Sequence, residues 1–261
     1  MAATRTFTFL GCGTSTGVPM LGCTCDVCRS PDPRNRRDRC AGLIRTPNGN
    51  ILIDTPPELR LELLRAEVGL VHAVIYTHYH ADHLFGLDDL RQFPRHLGGA
   101  MPVYCADDVE AVIRSTFPYV FQNAYGDAAA GYVPKLEFHR IKGGESFTVL
   151  GQRFLPVPLV HSIFRVLGFR FGDVAYCTDV NRVPEASLPL LQDLRVLIVD
   201  ALRYRPHPAH FGLTESLELI AQLKPQRAYL THLSHEFDYE TVNRQLPPNV
   251  QLAYDGLSFE F

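Results

Sequence analysis

The segment THYHADH, Thr77–His83, places three histidines and one aspartate in seven positions. Histidine and carboxylate together suit a divalent first-row metal, whereas thiolates favour a closed structural zinc site. His78 and His80 are two residues apart, and Asp82 and His83 follow about one turn later. A short loop entering a helix can therefore direct the first pair to one ion and the second pair to another. A single histidine here is explained as a polar turn residue; four ligand-type residues in six positions are not. His161 in PLVHS, Asp179 in YCTDV and His232 in LTHLSH supply further ligands, and together they complete two sites.

A second group lies upstream. GCTCDVC offers Cys23, Cys25 and Cys28 on one short loop, without a fourth ligand nearby. His235, the second histidine of THLSHEFD, is a candidate for it. A Cys₃His shell is closed, so a zinc there would brace the fold without performing chemistry. The alternative is that the three thiols are reduced and unliganded; clustering in a chain without a secretory signal reads less well as disulfides. Cys12, Cys40, Cys105 and Cys177 are scattered and receive no role.

The elements that must position these residues are short β-branched or aromatic runs: 5–11, 50–54, 72–77, 101–105, 146–151, 153–159, 165–171, 174–179, 195–200 and 227–232. Helical patterns separate several of them, chiefly 57–68, 107–116, 184–194 and 214–224. The mixture excludes an all-α protein and implies an α/β fold. Asp54, His78, Asp179 and His232 each follow such a run, and loops leaving strand ends are where layered α/β folds assemble chemistry. No repeat or linker interrupts the chain, so residues 1–261 read as a single domain, with the Ala/Gly-rich stretch 123–135 as a mobile loop or insertion. With 46% hydrophobic residues it can bury a substantial core, and a net charge of −3 gives no global attraction to nucleic acid or membrane. The N-terminus lacks the pattern of a secretory signal and no apolar run is long enough to span a bilayer, so a soluble cytoplasmic protein is expected.

On these residues the chain resembles the metallo-β-lactamase superfamily, whose HxHxDH signature stands here as His78, His80, Asp82 and His83, with His161, Asp179 and His232 following in order. The resemblance implies a four-layer αββα sandwich with a dinuclear centre. His78, His80 and His161 would hold one ion, Asp82, His83 and His232 the other, and Asp179 would bridge both. An aspartate bridge, where many true β-lactamases have cysteine, points to phosphodiester or related hydrolysis. Two divalent ions with two aspartates and one hydroxide leave a charge of about +1, which favours an anionic substrate. Zn²⁺, Mn²⁺ and Fe²⁺ all suit such ligands.

The opening GCGTSTGVPMLGCTCDVC, the loop RNRRDRC and the closing THLSHEFD resemble, more narrowly, the PhnP-type cyclic phosphodiesterase subfamily. That resemblance implies a structural zinc on Cys23, Cys25, Cys28 and His235. It also implies that His210, rather than His207, protonates the leaving group, a task that suits an imidazole titrating near neutrality. Ser162 could contact phosphate and Asp54 could orient a metal-bound histidine, although either could equally be structural. Arg34, Arg36, Arg37 and Arg39 could clamp a phosphate or simply be solvated. Tyr119, Phe121, Tyr125 and Tyr132 could form a lid, stack on a base or pack into the core.

The expected function is a metal-dependent phosphodiesterase that hydrolyses a small cyclic phosphate or nucleotide-like phosphodiester through a metal-bridging hydroxide. Its expected partner is that small anionic substrate, without membrane or nucleic acid, and a homodimer is an open option. Alternatives are a transfer-RNA 3′-processing nuclease, another hydrolase of the same fold such as a lactamase or thioesterase, and a non-catalytic nucleotide- or metal-sensing module.

Overall fold

The computed structural model describes residues 4–122 and 132–261. Most of the Ala/Gly-rich stretch, and Tyr125 with it, lies outside the described residues.

Among the described residues, two seven-stranded sheets form the frame. The first is built from β1 (Thr6–Gly11), β2 (Ala41–Thr46), β3 (Gly49–Ile53), β4 (Ala73–Ile75), β5 (Met101–Cys105), β6 (Leu136–Arg140) and β14 (Ser258–Glu260), with β14 beside β1 and the others in chain order. The second runs from β7 (Phe147–Val149) through β8 (Gln152–His161), β9 (Phe164–Phe171), β10 (Val174–Cys177), β11 (Val196–Asp200) and β12 (Arg227–Thr231) to β13 (Val250–Leu252).

Period-2 alternation decides what each face meets. On β3, Ile51 and Ile53 enter the core shared with the second sheet, while Leu52 faces outward. On β4, Ala73 and Ile75 do the same around Val74. Aromatic rings join the sheets across that core: Phe7 stacks on Phe171 at 6.0 Å between centroids, and Phe9 meets Tyr229 edge-on at 5.6 Å. Outside the first sheet, Leu52 and Val74 are covered by Leu59 and Leu63 of α2, where α1 is Asp26–Arg29 and α2 is Leu59–Arg65. Leu84 of α3 (Ala81–Leu84) and Val109 and Ile113 of α5 (Asp107–Thr116) complete that layer, α4 being Phe93–Leu97. Leu219, Ile220 and Leu223 of α6 (Leu213–Leu223) join the second sheet's core; α7 (Tyr239–Asn243) follows. The result is the expected αββα sandwich.

Two expectations need correction, and four strands were not among the expected runs. The helical pattern at 184–194 is a 3₁₀-helix, Glu185–Leu191, with Pro189 inside it; proline has no N–H to continue an α-helical ladder. The expected helix 57–68 shrinks to α2 because the chain enters it through Pro56–Pro57. Strands β2, β6, β13 and β14 lack the long apolar alternation that marks a strand: β6 is an edge strand with no buried residue, and β13 and β14 have three residues each. Among the described residues, no helix is long and apolar enough to cross a membrane.

Strand direction fixes where chemistry can collect. β3 is parallel to β4. β10, β11 and β12 are mutually parallel, and β8 shares their direction because two antiparallel pairings separate it from β10. Residues leaving the C-terminal ends of β8, β10, β11 and β12 therefore share one edge. Leu167 of β9 donates its N–H to the Thr77 carbonyl at 3.0 Å, which ties the loop after β4 to the second sheet.

Candidate metal centre

Asp54 leaves β3 and anchors one side of the site. This fully buried carboxylate accepts hydrogen bonds from Thr77 N at 2.8 Å, Thr77 Oγ1 at 2.7 Å and His83 Nδ1 at 2.7 Å. The Thr77 hydroxyl has a single proton and gives it to Asp54, so its oxygen accepts from His78 Nδ1 at 3.0 Å. One carboxylate thus orients two imidazoles, His83 directly and His78 through Thr77, and turns the Nε2 of each inward. Of the two readings left open for Asp54, the geometry favours orientation.

The one-turn helix α3 then places Asp82 and His83, with His80 at its N-cap. The turn is pinned by Thr55 N on the His83 carbonyl at 2.8 Å and by Gly86 N on the Thr55 carbonyl at 2.9 Å. A Cβ at Gly86 would lie 2.1 Å from the Pro56 carbonyl oxygen, so only glycine permits this approach.

From the second sheet, His161 at the end of β8 donates Nδ1–H to the Ala209 carbonyl at 2.6 Å. Asp179 follows β10, and His232 follows β12. Asp54, Ser162, Asp179 and His232 all have positive φ, between 53° and 66°, so four strand exits adopt a left-handed turn that costs a non-glycine residue energy and is concentrated at functional sites.

The seven residues converge. His78, His80 and His161 form one group whose ligand atoms lie within 4.8 Å of one another, and Asp82, His83, Asp179 and His232 form another. Asp179 lies between them: Oδ2 is 3.1 Å from His83 Nε2, and Oδ1 is 3.2 Å from His232 Nε2 and 4.0 Å from His78 Nε2. Asp82 Oδ2 is 3.4 Å from His83 Nε2 and 3.6 Å from His232 Nε2.

The Nε2 atoms of His78, His83 and His232 are buried and, despite the carboxylates nearby, make no hydrogen bond of acceptable geometry. Orphaned buried nitrogens are costly, and several facing the same carboxylates fit a bound cation. Electrostatics agree. Burial opposes charge on His83 and His232, but Asp179, Asp82 and the neighbouring carboxylates outweigh it, raising His83 well above its ordinary value and His232 to about 9. Burial likewise opposes charge on Asp82, yet His83 and His232 hold its carboxyl well below the usual range. Burial pushes His78, His80 and His161 down, towards the neutral form that ligates metal.

Beside this centre lies His210, whose Nδ1 is 2.7 Å from Asp200 Oδ2. Its ring stacks on His232 at 4.5 Å and tilts against His161 at 4.5 Å. His207 stands behind it, 5.2 Å away, with Nδ1 accepting from Ala209 N. Asp200, the last residue of β11, is a candidate site residue that the sequence reading missed. Its run ends in aspartate just as those before Asp54 and Asp179 do, and that pattern was the available signal.

The cysteines converge separately. Cys23 Sγ and Cys25 Sγ lie 3.2 Å and 3.4 Å from His235 Nδ1, and Cys28 completes a group within 4.8 Å. Three sulfurs facing one imidazole nitrogen fit a Cys₃His zinc site.

The four arginines of the 34–39 loop are placed differently from one another. Arg37 is 1% exposed and donates to the Ser234 and Phe237 carbonyls and to Asn35 Oδ1. Arg34 pairs with Asp32 and Glu240 and lies over the Tyr239 ring. Arg39 bonds the Ser15 carbonyl and pairs with Glu58; Arg36 is exposed. The loop braces the fold around α7. Ser162 is exposed beside His161. Phe121 packs on Phe138, Tyr119 donates to Asp88, and Tyr132 is exposed.

Residues 49–233 match the family model for the beta-lactamase superfamily domain. The chain belongs to the metallo-β-lactamase superfamily. Within that superfamily it is PhnP-like: a diphosphatase of the PhnP family is 42% identical, with a TM-score of 0.92 over 100% of this chain and 98% of that one. Zinc-bound PqqB from Methylobacterium extorquens shares the fold at 18% identity, with a TM-score of 0.78 over 98% of this chain and 100% of that one. A protein named octanoyltransferase from Porphyromonas gingivalis is 36% identical over 95% of this chain and 50% of its own length. The chain spans about half the length, or less, of the curated relatives it matches. It has the fold of the metallo-β-lactamase hydrolases, with clustered residues that could hold metal.

Proposed function

We propose that the protein is a metal-dependent phosphodiesterase acting on a small cyclic phosphate or nucleotide-like phosphodiester. The observation that carries this reading is Asp179, which presents its two oxygens to histidines of both ligand groups. On this reading His78, His80 and His161 would hold one divalent ion, and Asp82, His83 and His232 the other, with Asp179 available to both; Zn²⁺ or Mn²⁺ would suit both positions. Two such ions, when bound, would activate water and neutralise phosphoryl oxygens.

The chain's own contribution is orientation and proton handling. Asp54 and the Ala209 carbonyl aim the ligand imidazoles. His210, held through Nδ1 by Asp200, keeps its other nitrogen for a proton destined for the leaving alkoxide. Asp82 and Asp179 leave two divalent ions undercompensated, which favours an anionic substrate. Cys23, Cys25, Cys28 and His235 would hold a zinc that braces the loop.

A second reading, hydrolysis of a phosphoanhydride, is favoured by the 42% identical diphosphatase. The two readings differ in the leaving group, since a phosphate departs with less need of protonation than an alkoxide.

Metal-loaded protein, with zinc and with manganese, should be assayed on ribonucleoside cyclic phosphates, bis(p-nitrophenyl) phosphate and diphosphate esters. Turnover of cyclic phosphates above that of diphosphates supports the proposal. Two bound ions without hydrolysis of any phosphodiester would sink it: turnover of diphosphates alone would favour the second reading, and turnover of neither class a sensing module.

A further inference from the structure

His210 stands on a loop, residues 203–210, that contains neither helix nor strand. The loop leaves and re-enters the fold at one place, where Leu202 N bonds the Phe211 carbonyl at 2.8 Å and Phe211 N bonds the Val180 carbonyl at 2.6 Å. Between those points its position depends on a few contacts. Among the described residues, the hydrogen bonds that reach Pro208, Ala209 and His210 from outside the loop come from Asn181, His161 and Asp200. His161 belongs to the candidate centre, and Asp200 touches His210 itself. Asn181 touches neither the reacting position nor a ligand side chain.

The Asn181 amide joins two segments. Nδ2 donates to the Pro208 carbonyl at 2.9 Å, and Oδ1 accepts the Ser162 N–H at 2.9 Å. Pro208 is two residues before His210, and Ser162 immediately follows His161. A planar amide carries a donor and an acceptor on separate atoms at a fixed spacing, so it can satisfy a carbonyl and an N–H on two different segments at once. The residue is itself rigidly mounted: its N–H bonds the Val160 carbonyl at 2.9 Å, and Val160 N returns to the Arg182 carbonyl at 3.1 Å. It lies two residues beyond Asp179, and Val180 between them donates its N–H to Asp200 Oδ2 at 3.0 Å. The segment after β10 thereby couples the carboxylate of the centre to the turn after β8 and to the loop of the proton donor.

We infer that Asn181 is a positioning residue that sets the reach of His210 to the leaving group. This rests on the reading of His210 as proton donor. Aspartate at this position would keep an acceptor for Ser162 N but turn a carboxylate oxygen toward the Pro208 carbonyl, so that link would open. Asn181 is half-exposed, and neither aspartate nor alanine there empties the core.

The test compares N181D, N181A, H210A and the double variant N181D/H210A as metal-loaded full chains on two substrates. A ribonucleoside 2′,3′-cyclic phosphate expels a basic alkoxide; bis(p-nitrophenyl) phosphate expels a weakly basic phenolate that needs little protonation. For N181D and N181A, kcat on the cyclic phosphate should fall roughly 10- to 100-fold, the scale of misplacing a catalytic group by about 1 Å. The loss on the phenyl ester should be at least about tenfold smaller, because general-acid help matters less there. Bound metal should match the unmodified protein, amide exchange of 203–211 should quicken, and the double variant should be no slower than H210A. Equal losses on both substrates with metal retained, or additive losses in the double variant, overturn the role given to Asn181 while leaving His210 in place. An H210A variant without leaving-group preference removes the proton-donor reading, and this inference with it.

Discussion

Asp200 Oδ2 lies 2.7 Å from His210 Nδ1, while its other oxygen faces His232 Nδ1 across 3.9 Å. One buried carboxylate therefore stands behind both the candidate proton donor and a candidate ligand. Asp200→Asn keeps the shape but can present an N–H to His210 Nδ1. Turnover of a cyclic phosphate should fall by roughly 10- to 100-fold, the usual cost of losing a partner behind a metal-site histidine. Steady-state kinetics with parallel metal analysis checks this; a variant as active as the parent would separate Asp200 from the chemistry.

Asp179→Ala removes the carboxylate that both ligand groups share. Its effect should exceed the roughly 100-fold ceiling typical of outer partners, and fewer than two ions should remain per centre. Undiminished phosphodiesterase activity in this variant would remove the bridging role.

Asp54→Asn should weaken metal retention without unfolding the chain, since the amide preserves volume but can oppose an N–H to one of three donors. A loss of about 10- to 100-fold in metal affinity is expected, read by competition with a chelating dye. Affinity equal to that of the parent would make Asp54 purely structural.

Cys25 carries a pH signature. The Cys28 backbone N–H is the main cause that holds its thiol down at about 6, with help from His235 and Cys23, whereas burial pushes Cys28 up to about 11. In zinc-stripped protein, alkylation of Cys25 should follow its thiolate: fast at pH 7 and above, falling as pH drops through about 6. Cys28 should stay slow at neutral pH, and zinc should protect both. Peptide mapping of the alkylated sites reads the result; a Cys25 profile centred near 9 would contradict this environment.

Asp255 predicts a pH-dependent stability profile. Burial raises its carboxyl to about 7, against hydrogen bonds from Asp38 N and Cys12 N. The folded state then holds a proton that the unfolded state releases near pH 4, so this residue's contribution to stability declines as pH rises from about 4 to about 7 and is level above. The difference in unfolding free energy between Asp255→Asn and the parent should shift in the variant's favour across that window. A difference independent of pH would rule this out.

Much of the site was legible because its ligands are close in sequence or punctuate strands. His78, His80, Asp82 and His83 lie within one turn and its approach, so covalent geometry alone keeps them together. Asp54, Asp179 and His232 follow apolar runs, and a strand that ends in a polar residue at a parallel sheet's edge has few places to point it. The arginines of 34–39 could not be sorted this way. A cluster of guanidinium groups has the same sequence pattern whether it meets solvent, substrate or backbone carbonyls, and burial of Arg37 is a property of the packed loop and α7.

The sequence by itself determined the residue types, the α/β alternation and the two local ligand clusters. Tertiary structure decided which carboxylate orients which imidazole. It set Asp200 against His210 and brought Asn181 to both Ser162 and Pro208. Those partners lie 10, 19 and 27 residues apart along the chain. Hydrogen bonds between irregular segments at such separations follow no period, so only the closing of two sheets over one core can specify them.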